Sequence, residues 1–552
     1  MKTLLSLTAL AMTASPVLAA DYYGTTEPFA KNAIYFVLTD RFVNGDTRND
    51  HRHQGGAHPT FNIPIKGPHG QEANIGYLGG DFKGLLDNAD YIRNMGFGAV
   101  WITPIVDNPD QAFTGGSPVH WGSAFTDKGK TGYHGYWGDN FYQLDEHLPS
   151  KNLDFRGLTK GLKAHGLKTV LDIVVNHGSP AYTMPVKQPK YGQIFDANWH
   201  LVADHENVPP KDLNPKDPLT AFFHRTHEMV QLPNINEDNP AVIKYFIGAY
   251  EKWADQGADA FRIDTIKWVD TRFWKTFTDA IRAKHPGFFM FGEAYDYDAD
   301  AIAKYTWPKN GGVSVLDFPL KAAMNKVFAQ GAGFETLAPA LYLKRGPYQN
   351  PYDLTTFYDN HDMARMNASD NGFIDANNWL FTARGIPVIY YGSEVGFERG
   401  KAEHEGNRNY FGQARIDAAP QSPIYQHLKT IALVRKANVA LQQGLQVNIK
   451  LKGDQAQFLR VYQRDAVAQQ ALVLLNKADK AAQMQVPAGW LQQGNWHEAI
   501  SGQTVKVQGN LHMTVPAHGV RVLLLDQAVT VPALQKQLAA LMRRPVLHKS
   551  GE

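Results

Sequence analysis

Thr169-Val170-Leu171-Asp172-Ile173-Val174-Val175-Asn176-His177 is the stretch on which the fold turns. An apolar run long enough for one buried strand ends in side chains with hydrogen-bonding and acid–base capacity. The same happens in Phe261-Arg262-Ile263-Asp264, in Gly292-Glu293-Ala294 and in Asp359-Asn360-His361-Asp362. One such ending is ordinary turn chemistry, since Asp and Asn terminate strands well. Four of them imply strands whose ends converge on one rim.

Working outward from these endings, strand-like runs fall at 33–42, 99–105, 169–175, 258–266, 288–294, 313–316, 355–358 and 386–391. Helical patterns such as 85–95 and 158–165 alternate with them. This order predicts an α/β chain built on a (β/α)8 TIM barrel over 21–177 and 236–438, with its reactive face at the strand C-termini. Between 178 and 235 the period is lost and Pro, Asn, Asp and His accumulate, so an inserted domain is expected after strand three. Residues 439–527 alternate in the manner of Gln457-Phe458-Leu459-Arg460-Val461-Tyr462 and predict an antiparallel β domain. After Pro532, Leu534, Leu538, Leu541 and Met542 share helical spacing, so 528–552 is expected to be a tail helix packed on the protein.

A chain of 552 residues is too long for one core, which agrees with this division. The formal charge of +2 and the dispersed basic residues leave no field for nucleic acid or a membrane surface. Met1-Lys2, an apolar run to Ala14 and Val17-Leu18-Ala19-Ala20 have the form of a secretory signal, so residues 1–20 are expected to direct export to the periplasm or the medium. There is no cysteine, hence no disulfide and no lipid-bearing thiol. A monomer is expected.

Several carboxylates on one rim suit glycoside hydrolysis. A retaining enzyme needs a nucleophile and an acid/base roughly 5–5.5 Å apart, and adjacent strands four and five can place Asp264 and Glu293 so. Arg262, two residues before Asp264, leaves its strand on the same side and would hold Asp264 ionised. Glu293 follows Phe289-Met290-Phe291, an apolar setting that raises a carboxyl toward a protonated acid. Asp362 would grip sugar hydroxyls in the transition state.

The ordered set Asp172…Asn176-His177, Arg262-Ile263-Asp264, Glu293 and His361-Asp362 resembles the four signature motifs of the α-amylase family, over roughly residues 30–526. The resemblance implies the (β/α)8 barrel, a domain B inserted after strand three and a C-terminal β-sandwich domain C. It implies Asp264 as nucleophile, Glu293 as acid/base and Asp362 as transition-state stabiliser. It also places His177, Arg262 and His361 on the sugar at the cleavage point. Gly132-Tyr133-His134-Gly135-Tyr136-Trp137 is similar to the segment whose second Tyr stacks on that sugar, here Tyr136 with His134 beside it; an aromatic loop packed for stability is the alternative. Where the family often has Lys-His this chain has Lys267-Trp268. Lys267 would face the acceptor, Trp268 would offer a stacking surface or pack between domains, and Tyr295 would border the leaving group.

Asn44, Asp46, Asn49 and Asp50 in one loop, with Asp81 after Gly79-Gly80, have oxygen ligands at Ca2+ spacing, or form a polar turn. The loop is similar to a calcium loop of cyclodextrin glucanotransferases, in which the Gly79 carbonyl would contribute. A second Ca2+ candidate, by resemblance, joins Asn176, Asn234 and the backbone oxygen of Trp268, although a neutral amide at 234 weakens it. Thr39-Asp40-Arg41-Phe42 also looks like those glucanotransferases. Two features argue against cyclisation: the aromatic around which they curl the glucan falls near Val230, and their additional domains are missing. The expected activity is therefore hydrolysis of α-1,4-glucan or maltooligosaccharide. Cyclomaltodextrinase or cyclodextrin/4-α-glucanotransferase action is the alternative, and a non-catalytic maltodextrin-binding protein a remote one.

Overall fold

The structure, a computed structural model, describes residues 20–227 and 229–547. Apart from Ala20, the expected leader lies outside the described residues. Eight parallel strands form the barrel: β1 (Ile34–Val37), β2 (Ala99–Ile102), β3 (Lys168–Ile173), β4 (Ala260–Ile263), β5 (Phe289–Gly292), β6 (Ser314–Val315), β7 (Thr355–Thr356) and β8 (Ile386–Tyr390). They pair in the order β6-β5-β4-β3-β2-β1-β8-β7, and a parallel bridge between Leu316 and Thr355 joins the two edges. Nearly every strand residue is buried, as expected when helices cover the outer face and side chains fill the inside.

The helices that cross back are α1 (Phe155–Ala164), α2 (Pro240–Asp255), α3 (Thr271–Lys284), α4 (Phe318–Phe328), α5 (Asp370–Thr382) and α6 (Pro423–Ala437). Each of the first five starts on a side chain that accepts a first-turn N–H: Asp154, Asn239, Asp270, Asp317 and Ser369. α2 and α6 also place proline at their first position.

The strands are shorter than the apolar runs predict. The run 33–42 gives β1 and then a helical turn, Thr39–Phe42, and the helix expected at 85–95 breaks at Asn88 into Phe82–Asp87 and Ala89–Asn94. Burial makes a turn inside a core as apolar as a strand, so hydrophobicity alone cannot place the boundary. The early strand ends also leave Asn176, His177, Asp264, Glu293, His361 and Asp362 beyond the strands, at the barrel mouth.

Within 178–235 a hairpin of Gln193–Phe195 and Leu201–Asp204 lies among 3-10 turns. Beyond the barrel comes a six-stranded antiparallel sheet. Its strands, with those of a two-stranded pair, are β9 (Leu445–Lys452), β10 (Gln455–Arg464), β11 (Val467–Asn476), β12 (Ala482–Val486), β13 (Gly494–Glu498), β14 (Thr504–Val507), β15 (Leu511–Val515) and β16 (Gly519–Leu525). The large sheet runs β9-β10-β11-β16-β13-β14, and β12 pairs with β15. Helix α7 (Pro532–Met542) buries Leu534 and Leu538 against the same core. Among the described residues no helix is long and apolar enough to cross a membrane.

Candidate active site

The parallel register sets the centre of the site. Arg262 on β4 pairs with Asp172 on β3 and with Phe291 on β5. One step on, Glu293 N–H donates to the Ile263 carbonyl and Asp264 N–H to that of Ile173, both at 2.8 Å. Asp264 and Glu293 thus stand at adjacent levels of neighbouring strands, whose axes lie roughly 4.8 Å apart.

A single guanidinium ties the carboxylates together. Arg262, fully buried, donates from Nη1 to Asp264 Oδ1 at 2.8 Å and to Asp172 Oδ1 at 2.9 Å, and its Nη2 lies 3.1 Å from Glu293 Oε2. Three buried carboxyls share one cation, so they cannot all ionise freely. Burial raises Glu293 well above the ordinary glutamate range, against the pull of Arg262. Burial likewise raises Asp172 to about 7. Asp172 also accepts from Trp101 Nε1 at 2.9 Å and from the Tyr136 hydroxyl at 2.7 Å. Asp172 is thereby a fixed support beneath the mouth, with its oxygens already occupied.

Thr265 closes the centre from the turn after β4. Its hydroxyl donates to Asp264 Oδ2 at 3.0 Å and its N–H to Glu293 Oε2 at 3.4 Å. It does so at φ +47, a left-handed conformation that a β-branched residue seldom adopts. The strain sits where it aims two carboxyls, a pattern common at reactive sites.

Asp362, on the loop after β7, is more open than Asp264 and Glu293, with 29% of its side chain accessible. His361 Nε2 lies 3.2 Å from it and Arg408 Nη2 donates to it at 2.8 Å. Arg408 also donates to the His361 carbonyl, and its Nη1 lies 2.8 Å from Glu403. Lys130 reaches Glu403 at 3.1 Å and Asp127 at 3.0 Å. Burial, then nearby cations, pushes His361 and His134 well below the usual histidine range; burial lowers His177 too. All three rings are neutral at pH 7, able to donate from one nitrogen and accept at the other.

Tyr136 stacks on His361 at 5.2 Å between ring centroids and 15° between planes. His134 Nδ1 accepts from the Tyr136 N–H at 3.1 Å. Gly135, between them, has φ +83, and a Cβ there would fall 2.2 Å from the Pro104 carbonyl; only glycine lets this loop press against the segment that follows β2. At the outer rim Lys267 donates to the Tyr295 carbonyl at 2.8 Å. Trp268, Tyr295 and Tyr297 leave 39–46% of their surface exposed.

The residues singled out in sequence as catalytic or sugar-contacting therefore gather at one mouth. Thr265, Arg408, Glu403 and Lys130 were not anticipated. The last three come from distant loops, and charge in a loop carries no periodic signal. The Asp264–Thr265 step did carry one, a turn directly after a strand.

The loop after β1 fits a hard cation. Asn44 Oδ1 and Asn49 Oδ1 are buried without a hydrogen-bond donor, as oxygens bound to a cation would be. Asp46 and Asp50 are buried beside them, neutralised on their outer edges by Arg48 and Arg52. Gly79, at φ +87, lies so close to Asn44 and Asp50 that a Cβ would meet them at 2.2 and 2.4 Å. Asp81 accepts N–H donors at both oxygens, capping the helix that follows it and anchoring Gly45 and Asp46 of the same loop. At the second candidate, Asn176 and Asn234 are adjoining, through the His177–Asn234 bridge and the Ile235 N–H to Asn176 carbonyl bond of 2.8 Å. There the Asn176 amide donates to Met229 Sδ, and the paired residues bring no carboxylate. Among the described residues one further trio of metal-type side chains exists, Asp145, Glu146 and His147. There His147 is paired with Asp145 at 2.8 Å, which with Glu146 raises its pKa against the effect of burial.

A family model described as "Alpha amylase, catalytic domain" matches residues 36–426. A cyclomaltodextrin glucanotransferase of Klebsiella oxytoca is 27% identical over 517 residues, covering 84% of this chain and 72% of its own length. An alpha-amylase of Streptomyces lividans is 29% identical over 451 residues, covering 67% of this chain but only 48% of its own. Of solved structures, an alpha-amylase of Geobacillus thermoleovorans, complexed with acarbose, aligns at TM-score 0.68 and 26% identity over 91% of this chain and 99% of its own. The cyclomaltodextrin glucanotransferase CldA, described as having a three-domain ABC distribution, aligns at TM-score 0.71 and 28% identity over 90% of this chain and 99% of its own. A three-domain enzyme of that name removes one argument drawn from the sequence, since lack of additional domains does not separate hydrolases from cyclising enzymes. With the four motifs assembled at one barrel mouth and the catalytic-domain model spanning 36–426, the chain belongs to the α-amylase family.

Proposed function

We propose that the chain cleaves α-1,4-glucosidic bonds of starch and maltodextrins with retention of configuration. The observation that carries this reading is the Arg262 clamp, which holds Asp264 and Glu293 side by side at the barrel mouth. Glu293, kept protonated by burial, donates its proton to the glycosidic oxygen as that bond breaks. Asp264 attacks the anomeric carbon and forms a glycosyl ester. Glu293, now a carboxylate, takes a proton from water, which cleaves the ester and restores both groups. Asp362 and the neutral His361 and His177 meet the hydroxyls of the sugar at the break, and Tyr136 supplies its stacking face. Lys267, Trp268 and Tyr295 border the leaving group.

Asn44, Asp46, Asn49, Asp50, the Gly79 carbonyl and Asp81 would hold one Ca2+, which when bound neutralises their carboxylates and stiffens the loop. Residues 1–20 would direct export. A glucan-transferring activity is the second reading. It is favoured by the similarity to CldA, at 28% identity over 90% of this chain.

The test is product analysis on starch, maltoheptaose and β-cyclodextrin with calcium present, with Asp264→Asn as control. Linear α-configured products, lost in the variant, are expected. Mainly cyclic products would favour the transferase, and no turnover of any α-glucan would remove the reading.

A further inference from the structure

Between the barrel and the C-terminal sheet, one histidine stands with a carboxylate at each ring nitrogen. His518 lies in the turn between β15 and β16. Its Nδ1 is 2.7 Å from Asp375 Oδ2 and its Nε2 is 2.9 Å from Asp479 Oδ1. Asp375 belongs to α5, the barrel helix into which the Asp362-bearing loop runs, and is buried there. Asp479 sits on the loop between β11 and β12, with 94% of its side chain exposed. One imidazole thus spans the two parts of the molecule.

The surroundings hold this ring in place. Asn476, buried at the end of β11, donates to the carbonyls of Val515 at 3.3 Å and Pro516 at 2.9 Å. Asn378, about one turn along α5 from Asp375, donates to the His518 carbonyl at 3.4 Å. His518 itself takes φ +49, in the left-handed region that few side-chain-bearing residues adopt, so the contacts around it fix the turn.

The donors required set the charge of the ring. A neutral imidazole donates from one nitrogen only, and its other nitrogen would turn a lone pair toward a carboxylate oxygen; the imidazolium satisfies both. Burial works against that charge, yet the bonds to Asp375 and Asp479 raise His518 above the ordinary histidine value. Burial raises Asp375 to about 7, against the pull of His518. The other charges acting on Asp375 are Lys477, after β11, and Asp454, in the β9–β10 turn, which pair with each other at 2.6 Å. His518 and Asp375 both hold protons more tightly in the fold than in the unfolded chain, where about 6.5 and about 3.9 are ordinary. Stability from the ring is fully present below about 6.5 and is lost as pH rises through its raised value, and Asp375 acts in the same sense.

We propose that His518 is a pH-sensitive clasp between the C-terminal sheet and the barrel: as an imidazolium it joins α5 to the β11–β12 loop, and on losing its proton it loosens that junction.

The test uses the full chain, as wild type, His518→Asn and Asp479→Asn. Asn tolerates the left-handed backbone at 518, and the Asp479 side chain is exposed, so the second variant keeps the comparison alive if the first folds poorly. Calorimetry at pH 6 is expected to show the wild type melting about 1–3 °C above His518→Asn, with a smaller gap of the same sign for Asp479→Asn. Both gaps should shrink at pH 9. NMR of histidine labelled at Cε1, with the His518 signal identified by its loss in His518→Asn, should show it titrating above about 6.5 in the wild type and lower in Asp479→Asn. Equal gaps at pH 6 and pH 9 would make His518 a merely structural contact and overturn the clasp. So would titration at or below the ordinary histidine value.

Discussion

At the scale of the residue, the site is governed by one cation among three buried carboxyls. Arg262 cannot compensate Asp172, Asp264 and Glu293 at once, and burial raises Asp172 to about 7 and Glu293 well above the ordinary glutamate range. A raised Glu293 keeps its proton to a higher pH than an ordinary glutamate, which fits it to act as an acid. It loses that role as pH rises through its raised value. The kcat is therefore expected to fall on the alkaline side at a pH well above the ordinary glutamate range. Glu293→Gln should lower kcat by about 10²–10⁴-fold and abolish that limb. A pH–rate profile checks this, and an unchanged alkaline limb in the variant would assign the proton elsewhere. Neutral His361 and His134 belong to the same balance, because charged imidazoles beside Arg408 would add repulsion to a desolvated site.

At the scale of the element, the loop after β1 shows how a site can be arranged before its ion arrives. Arg48 and Arg52 shield the outer edges of Asp46 and Asp50, while the inward amide oxygens of Asn44 and Asn49 have no donor. Unpaired buried polar atoms cost stability, and a bound cation removes that cost. Chelation of calcium is expected to lower the melting temperature by several degrees, as mass-action stabilisation of about 3 kcal/mol would require in a large chain. Asp50→Ala should melt at the same temperature with and without chelator. Calorimetry decides it, and a wild type indifferent to chelation would mean that the loop is only a polar turn.

At the scale of the whole molecule, the C-terminal sheet is joined to the barrel by buried charge rather than by apolar contact alone. Arg460 on β10 is fully buried and donates to the carbonyls of Thr382 and Ala383, at the end of α5, and to that of Gly444. Its pKa is lowered to about 10 by burial. Trp379 and Phe458 pack edge to face beside it, at 5.5 Å. Arg460→Met removes the donors and leaves buried carbonyls unpaired, a loss of roughly 3 kcal/mol. Urea unfolding should then show a lower midpoint, with the sheet and barrel no longer melting together. A midpoint equal to wild type would show that the junction depends on packing alone.

Much of this was legible in the chain itself. The eight apolar runs, the four motif endings and the helical residues of α7 are written in local order, because strand burial and helix periodicity leave marks within a few neighbours. The sequence by itself therefore determined the barrel class, the identity of Asp264, Glu293 and Asp362 as the carboxylates at the mouth, and the oxygen-rich loop at 44–50. Tertiary structure alone decided where β1 stops, that Asn88 splits a helix, and that Arg408, Glu403 and Lys130 reach Asp362 from loops far apart in the chain. It also decided that Thr265 is strained. The reason is physical. Hydrophobic pattern reports only whether a side chain is buried, whereas a pKa, an ion pair or a backbone strain depends on which distant groups the fold brings within a few ångströms.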